Sequence, residues 1–314
     1  MRRSTVSEKA STMKTPINVC FLSDDAYIQH MTVAAVSAVD HASRPVEIWL
    51  VHPGLSTSSQ ERLARLKEMI PGLTLHVLQC DLSRFNGYPK MEKWPVLIYA
   101  KLMLSELLPL DRVIVLDCDM VVMDDLAKLY DMPFPEGIRL AACSDLITKK
   151  KAAQRGYDYS PEDYFNAGML LLDLNALRKE DFSNRVLDVP PEYLQMIQAP
   201  EQDLLNRYFH GNYLKLDSRW NLFAGLSRHR ICSRFPERKK ALFAAKKSPG
   251  VIHFTTSKPW NCSALPKTPY DKLYRAYLKR TPFADYRFPP VTCGDVLEFV
   301  LPQWFRKMLP KMKR

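Results

Sequence analysis

Apolar residues in this chain arrive in short unbroken runs, separated by segments whose apolar positions recur every three or four residues. Residues 17–23 (INVCFLS) form the first run, which ends in Asp24 and Asp25. A helical pattern follows over 28–39, then a second run over 46–51, a helix over 58–69 and a third run over 73–78. A helix is predicted over 98–107, ahead of the strong run Arg112 to Leu116 (RVIVL), which leads into Asp117-Cys118-Asp119. Strands are expected at 140–143 and 168–174, a helix at 201–209 and a last strand at 250–254. Runs without in/out alternation suit strands buried on both faces, and their interleaving with helices predicts a mostly parallel sheet with helices on both sides. The fold class is α/β.

The chain has 314 residues, with 45 Lys+Arg against 34 Asp+Glu and a formal charge of +11. Hydrophobic residues at 46% and charged residues at 25% exclude a disordered or fibrous protein. No apolar run reaches membrane-spanning length, and residues 1–15 are basic and hydroxyl-rich without an apolar core, so neither a spanning helix nor a secretory leader is expected. Seven cysteines stand singly with no C-x-x-C, which reads as reduced thiols in a cytoplasmic protein. No G-x-G-x-x-G or P-loop occurs, so a Rossmann cofactor site has little support. The basic excess points to an anionic partner: a phosphorylated substrate, a membrane surface or, least of all because no recognised module accompanies the charge, nucleic acid.

Residues 263–314 change character, with Pro, aromatic and basic residues dominating. Val296, Leu297, Val300, Leu301, Trp304, Phe305, Met308 and Leu309 share one helical face, and Arg306, Lys307, Lys311, Lys313 and Arg314 crowd its end. That pattern suits an interfacial helix with a polybasic tail on anionic lipid, although Pro302 weakens the helix; a C-terminal helix docked on its own domain is the alternative. A second basic run, 228–247, could meet acceptor phosphates or the membrane, or be a solvated face.

In an open α/β sheet, ligands sit at the carboxyl ends of strands. Asp24-Asp25 and Asp117-x-Asp119 both fall at such ends. Carboxylates at i and i+2 there can converge on one hard cation and bridge it to a diphosphate. An Asp-x-Asp pair alone is weak, and its plain alternative is a solvated turn. Position and company strengthen it.

That company resembles glycosyltransferase family 8, which includes bacterial lipooligosaccharide galactosyltransferases, lipopolysaccharide glucosyltransferases and glycogenins. The matching pieces stand in the family's order: Ser23-Asp24-Asp25-Ala26-Tyr27, Tyr99-Ala100-Lys101-Leu102, Val115-Leu116-Asp117-Cys118-Asp119, Phe165-Asn166-Ala167-Gly168-Met169, Glu201-Gln202-Asp203-Leu204, and His253-Phe254 with Lys258-Pro259-Trp260. The resemblance implies a nucleotide-diphospho-sugar transferase (GT-A) catalytic domain over 16–262; composition sets it between a flexible basic N-terminus at 1–15 and a membrane-associating C-terminal extension at 263–314. It also implies Asp117, Asp119 and His253 as ligands of Mn2+, with Mg2+ as the alternative ion. Asp24, Tyr27, Lys101, Cys118, Asn166, Ala167 and Lys258 are implied to bind a UDP-sugar. Tyr27 would stack on uracil, and Lys258 would meet the diphosphate. Glu201, Gln202 and Asp145 are implied around the donor sugar and its anomeric carbon.

Because the family retains anomeric configuration and Gln202 is a poor nucleophile, attack on the same face as the leaving UDP is favoured. Gln202's amide oxygen would then steady the cationic sugar, and Glu201 stays open as a nucleophile. Four features depart from the family: Lys101 for arginine, Ala26 for asparagine, a shortened 254–257 loop lacking glycine, and Glu201 for aspartate. The function expected is hexosyl transfer, of glucose or galactose, to a saccharide or lipid-linked acceptor, above all lipopolysaccharide core, at the inner face of the cytoplasmic membrane. The alternatives are a protein, glycogen-primer or capsular acceptor, or a non-catalytic, membrane-docked UDP-sugar-binding protein.

Overall fold

The computed structural model describes residues 15–92, 94–157, 160–227, 235–255, 258–261, 268–292 and 296. The predicted lipid-facing helix beyond Val296, residues 228–234 of the second basic run, and Cys232, Cys262 and Cys293 lie outside these residues. Cys20, Cys80, Cys118 and Cys143 are free and buried.

Strands β1 (Ile17–Leu22), β2 (Val46–His52), β3 (Leu73–Gln79) and β4 (Arg112–Leu116) pair in parallel, with Ile17 opposite Val46 and Val19 opposite Ile114. After β5 (Met120–Val122) come β6 (Leu140–Ser144), β7 (Phe165–Asp173) and β8 (Leu214–Lys215), which complete a seven-stranded sheet in the order β3-β2-β1-β4-β7-β6-β8. β7 runs antiparallel to both neighbours and starts three residues before the predicted strand. A smaller sheet joins β5 to β10 (Val251–His253), antiparallel, and β10 to β9 (Leu222–Phe223), parallel. Such two- and three-residue strands carry no periodicity to read, which is why the sequence pattern does not show this second sheet.

The unbroken apolar runs reflect burial on both faces. In β4, Ile114 and Leu116 enter one core while Val113 and Val115 enter the other. β3 differs: Leu73 and Leu75 are buried but Thr74 and Val77 are exposed, because β3 is a sheet edge. The helix Ile28–Asp40 is buried on nearly every side, since the large sheet, β5 and the later helix Asp271–Leu278 surround it. The helix predicted over 98–107 is instead a 3-10 helix, Val96–Met103, entered from Pro95 and followed by one α turn, Leu104–Leu107.

The core does not end at residue 262. Tyr274, Tyr277, Leu278 and Phe283 join the same cluster as Ile28, Met31 and Trp260. The ion pairs Arg280–Asp40 and Arg62–Asp285 tie this later segment to the helices Ile28–Asp40 and Thr57–Met69. His30 sits at the centre of the contact. Its ring stacks on Trp260 with centroids 3.5 Å apart and planes 12° apart, and its Nδ1 lies 2.6 Å from the Tyr274 hydroxyl.

Burial pushes the His30 pKa down to about 3, with Asp119 pulling the other way and Lys258 adding to the fall. Below its unfolded value of about 6.5, the unfolded chain binds a proton that the folded chain refuses, so stability falls with pH. The slope from this one group reaches about 1.4 kcal/mol per pH unit. Urea unfolding at pH 7 and pH 5 should show that loss, and a His30→Gln variant should lose less; equal losses in both proteins would assign the pH dependence elsewhere.

Candidate active site

Asp117-Cys118-Asp119 is the passage from the large sheet to the small one. On one side, Asp117 N–H donates to Gly168 O at 2.8 Å, holding the turn to β7. On the other, Phe254 N–H donates to Asp119 O at 2.9 Å, and His253 pairs with Met120 across β10 and β5. The backbone pairing that joins the sheets thus delivers two carboxylates and an imidazole to one point. Ligand atoms of Asp117, Asp119 and His253 all lie within 4.8 Å of one another. His253 Nε2 stands 3.3 Å from Asp119 Oδ1 and 3.7 Å from Asp117 Oδ2.

His253 Nδ1–H donates to Asn221 Oδ1 at 2.8 Å, which turns Nε2 to the carboxylates. Two carboxylates and an imidazole nitrogen form a mixed oxygen and nitrogen donor set of the kind that holds a divalent metal ion. Gly168 makes the room: a Cβ there would lie 2.4 Å from His253 Cε1 and 2.8 Å from Asp117 Oδ2. The residues present therefore fit a divalent cation.

Two lysines balance the acids. Lys101 is buried, and its ammonium donates to Asp117 Oδ1 at 2.6 Å, Ala167 O at 2.9 Å and Glu201 Oε1 at 3.2 Å, one acceptor for each proton. Burial opposes its charge, but Asp117 and Glu201 outweigh that and hold the ammonium above its usual pKa. Burial lifts the Glu201 carboxyl, with Lys101 opposing. Lys258 pairs with Asp119. Burial works against that carboxylate too, yet His253 and Lys258 keep it well below the usual range. The Asp117 side chain is 34% exposed against 8% for Asp119, so Asp117 faces the open side.

The helix Pro200–Phe209 brings Glu201 and Gln202 in. Pro200 suits its first turn, and Asp203 reaches back to accept from the N–H groups of Gln198 and Ala199, both at 2.8 Å. Gln202 is fully engaged. Its Oε1 accepts from Ala167 N at 2.9 Å and Asn166 Nδ2 at 3.2 Å, while its Nε2 donates to Asp145 Oδ2 and the Tyr164 hydroxyl, each at 3.0 Å. Asn166 Oδ1 accepts from Asn221 Nδ2 at 2.8 Å. A continuous chain of hydrogen bonds therefore runs from His253 through Asn221, Asn166 and Gln202 to Tyr164 and Asp203.

Asp24 and Tyr27 lie beyond the neighbouring strand end. Asp24 Oδ1 accepts from the N–H groups of Ala26 and Tyr27 at 3.1 Å, shaping the turn into the helix Ile28–Asp40. Tyr27 is 38% exposed and meets Trp260 edge-on. Cys118 Sγ–H donates to Leu22 O at 3.1 Å, linking this turn to the acidic one. The motif reading assigns no role to Asn221, Tyr164, Asp203 or Gly168. Asp203 and Gly168 stand inside quoted motifs, whereas Asn221 and Tyr164 carry no spacing signal because their partners are distant in sequence.

The family model for glycosyl transferase family 8 matches residues 18–264, and the chain belongs to that family. It is 24% identical over 249 residues to glycosyltransferase GlyF of Streptococcus pneumoniae serotype 4, covering 78% of this chain and 57% of GlyF. It is 23% identical over 290 residues to lipopolysaccharide 1,2-glucosyltransferase of Escherichia coli K12, covering 90% of this chain and 83% of that protein. The structure of galactosyltransferase LgtC with donor and acceptor sugar analogues superposes with a TM-score of 0.71 at 21% identity, over 93% of this chain and all of that one. The fold is GT-A.

Removing Lys101's charge would leave Glu201 and Asp117 buried or half-buried without their partner, at a cost of about 3–5 kcal/mol. Lys101→Met should lower folding stability by that order in urea unfolding, and a Lys101→Met/Glu201→Gln double variant should recover part of it. A double variant no more stable than the single one would show that the pair is not the source of the loss.

Proposed function

We propose that this chain transfers a hexose, glucose or galactose, from a UDP-sugar to a saccharide acceptor with retention of anomeric configuration. The observation that carries the reading is the convergence of Asp117, Asp119 and the Nε2 of His253 between two lysines at the carboxyl end of β4. Asp117, Asp119 and His253 would hold Mn2+, which when bound supplies Lewis-acid stabilisation to the leaving diphosphate.

Lys258 pairs with Asp119. Meeting the diphosphate requires it to exchange that partner for phosphate oxygens, where its point charge stabilises the departing UDP. Asp24 and Tyr27 would receive the nucleoside, with the exposed Tyr27 ring as the stacking face. Cys118 and Ala167 would line the donor at the two turns that flank Asp117. Asp145 and Asn166, held at a fixed distance by Gln202, would bind donor-sugar hydroxyls.

The arrangement of Glu201 and Gln202 supports same-face attack. Both lone-pair directions of Gln202 Oε1 are taken by N–H donors, and Glu201 is buried against Lys101. Gln202 therefore offers no free oxygen as a nucleophile, and the Glu201 carboxylate is held to Lys101 through Oε1. The acceptor hydroxyl would attack beside the leaving group, its proton passing to the departing phosphate oxygen. Gln202 would act mainly by orienting Asn166 and Asp145, a different part from the cation-steadying one expected from the motif.

Lipopolysaccharide core is the acceptor best supported, through the similarity to the E. coli glucosyltransferase and through the basic surface. The helix Lys239–Lys247 exposes Lys239, Lys240 and Lys247, and no helix among the described residues is long and apolar enough to cross a membrane. Peripheral contact with an anionic cytoplasmic-face membrane through the 296–314 segment is part of this proposal.

UDP release from UDP-glucose and UDP-galactose, measured with Mn2+, Mg2+ or EDTA, should show slow Mn2+-dependent hydrolysis of one donor. Failure with both donors and with an acceptor screen, despite tight UDP binding, would favour a non-catalytic binder. Asp119→Ala should abolish Mn2+-dependent UDP binding while the far-UV circular dichroism stays unchanged. Lys258→Ala should weaken UDP binding yet tighten Mn2+ binding without nucleotide, because the cation no longer competes with an ammonium for Asp119; weaker Mn2+ binding would oppose that exchange.

A further inference from the structure

Lys258 is placed by a short stretch of chain. Pro259–Asn261 is a single 3-10 turn closed by Asn261 N–H donating to Lys258 O at 3.2 Å, and Pro259 and Trp260 are buried within it. What holds the turn is the Trp260 ring. One face lies on His30, with centroids 3.5 Å apart, and Tyr274 packs against the indole at 5.3 Å. The Tyr274 hydroxyl in turn meets His30 Nδ1 at 2.6 Å, and the Tyr286 hydroxyl donates to Trp260 O at 3.5 Å. Tyr27, the exposed ring at the neighbouring strand end, touches both Trp260 and His30 edge-on.

Tyr274 and Tyr286 belong to the stretch 268–292, which follows the part of the chain matched by the family model, 18–264. That stretch is clamped to the body by Arg280–Asp40 and by Arg62, which reaches both Asp285 and Pro282 O. We infer that His30, Trp260 and Tyr274 form a positioning device for the donor site: the later segment fixes the indole, and the indole fixes the turn that aims Lys258 at Asp119 and at an incoming diphosphate. The physical reason is rotational. A lysine on an unanchored turn would lose chain and side-chain entropy on meeting each phosphate, whereas a buried ring two residues away removes the chain part before binding. The same ring backs Tyr27, so one stack serves both ends of the nucleotide. This inference rests on the proposed UDP-sugar reading of the site.

The test is calorimetric titration of the full chain with UDP in Mn2+. Trp260→Leu should weaken UDP binding about tenfold, the size of one charge-assisted hydrogen bond. Trp260→Phe, which keeps a ring for His30 to stack on, should recover most of it. Adding Lys258→Ala to Trp260→Leu should cost less than Lys258→Ala costs alone, because part of the Trp260→Leu loss runs through that ammonium. Tyr274→Phe removes a single oxygen, keeps the packing and should weaken UDP about threefold, a modest hydrogen-bond effect. A folded Trp260→Leu that binds UDP like the parent, or losses that multiply independently with Lys258→Ala, would overturn the inference. Should Trp260→Leu fail to fold, unchanged affinity in Tyr274→Phe overturns it alone. A parent chain that binds no UDP would overturn the donor reading, and the positioning role with it.

Discussion

Three carboxylates meet where this chain passes from one sheet to another, and much of the site is organised by the need to balance them. Two unit charges about 4 Å apart interact by about 4 kcal/mol at an effective dielectric near 20. Asp117, Asp119 and Glu201 could not gather without cations at hand. Lys101 answers two of them from the protein interior, and Lys258 answers the third from the turn beyond β10. The two lysines differ in kind. Lys101 has its three protons committed to fixed acceptors and is part of the framework. Lys258 is paired with the more buried carboxylate of the Asp117–Asp119 pair, and the proposed function has it exchange that partner for phosphate.

That balance explains why so many buried polar groups are tolerated around the site. His253, Asn221, Asn166, Gln202, Tyr164 and Asp203 are linked hand to hand, each donor finding an acceptor, so their burial does not leave unsatisfied groups. The network also sets orientation. Asn221 fixes which nitrogen of His253 faces the carboxylates, and Tyr164 with Ala167 fixes which way the Gln202 amide points. Gly168 is the steric counterpart: only a residue without a side chain lets the imidazole and Asp117 approach from the same side.

The later segment, 268–292, shows that a catalytic unit need not coincide with the stretch carrying its motifs. Its helix packs into the same apolar cluster as Ile28 and Met31, and its tyrosines stand behind His30 and Trp260. By composition alone the chain after 262 reads as an appendage, rich in Pro, aromatics and bases. Tyr274, Tyr277 and Phe283 are instead core residues, with Tyr270, Tyr286 and Phe288 half-buried against them, a difference that composition cannot show.

The sequence by itself determined the alternation of strands and helices, the parallel half of the large sheet and the residues of the acidic pair, because buried strands and strand-end carboxylates leave local patterns. Arg112–Leu116 is a strand in both readings, and Asp117, Asp119 and His253 are named by motif before they are seen together. Only the tertiary structure decided the reversed direction of β7, the small sheet built from strands of two and three residues, and the partners of Lys101, Gln202 and His30. Those depend on groups brought close from distant parts of the chain: Asn221 is 32 residues from His253, and Tyr274 is 244 residues from His30. Local spacing records the faces a segment buries, but it holds no record of which distant donor will meet which acceptor.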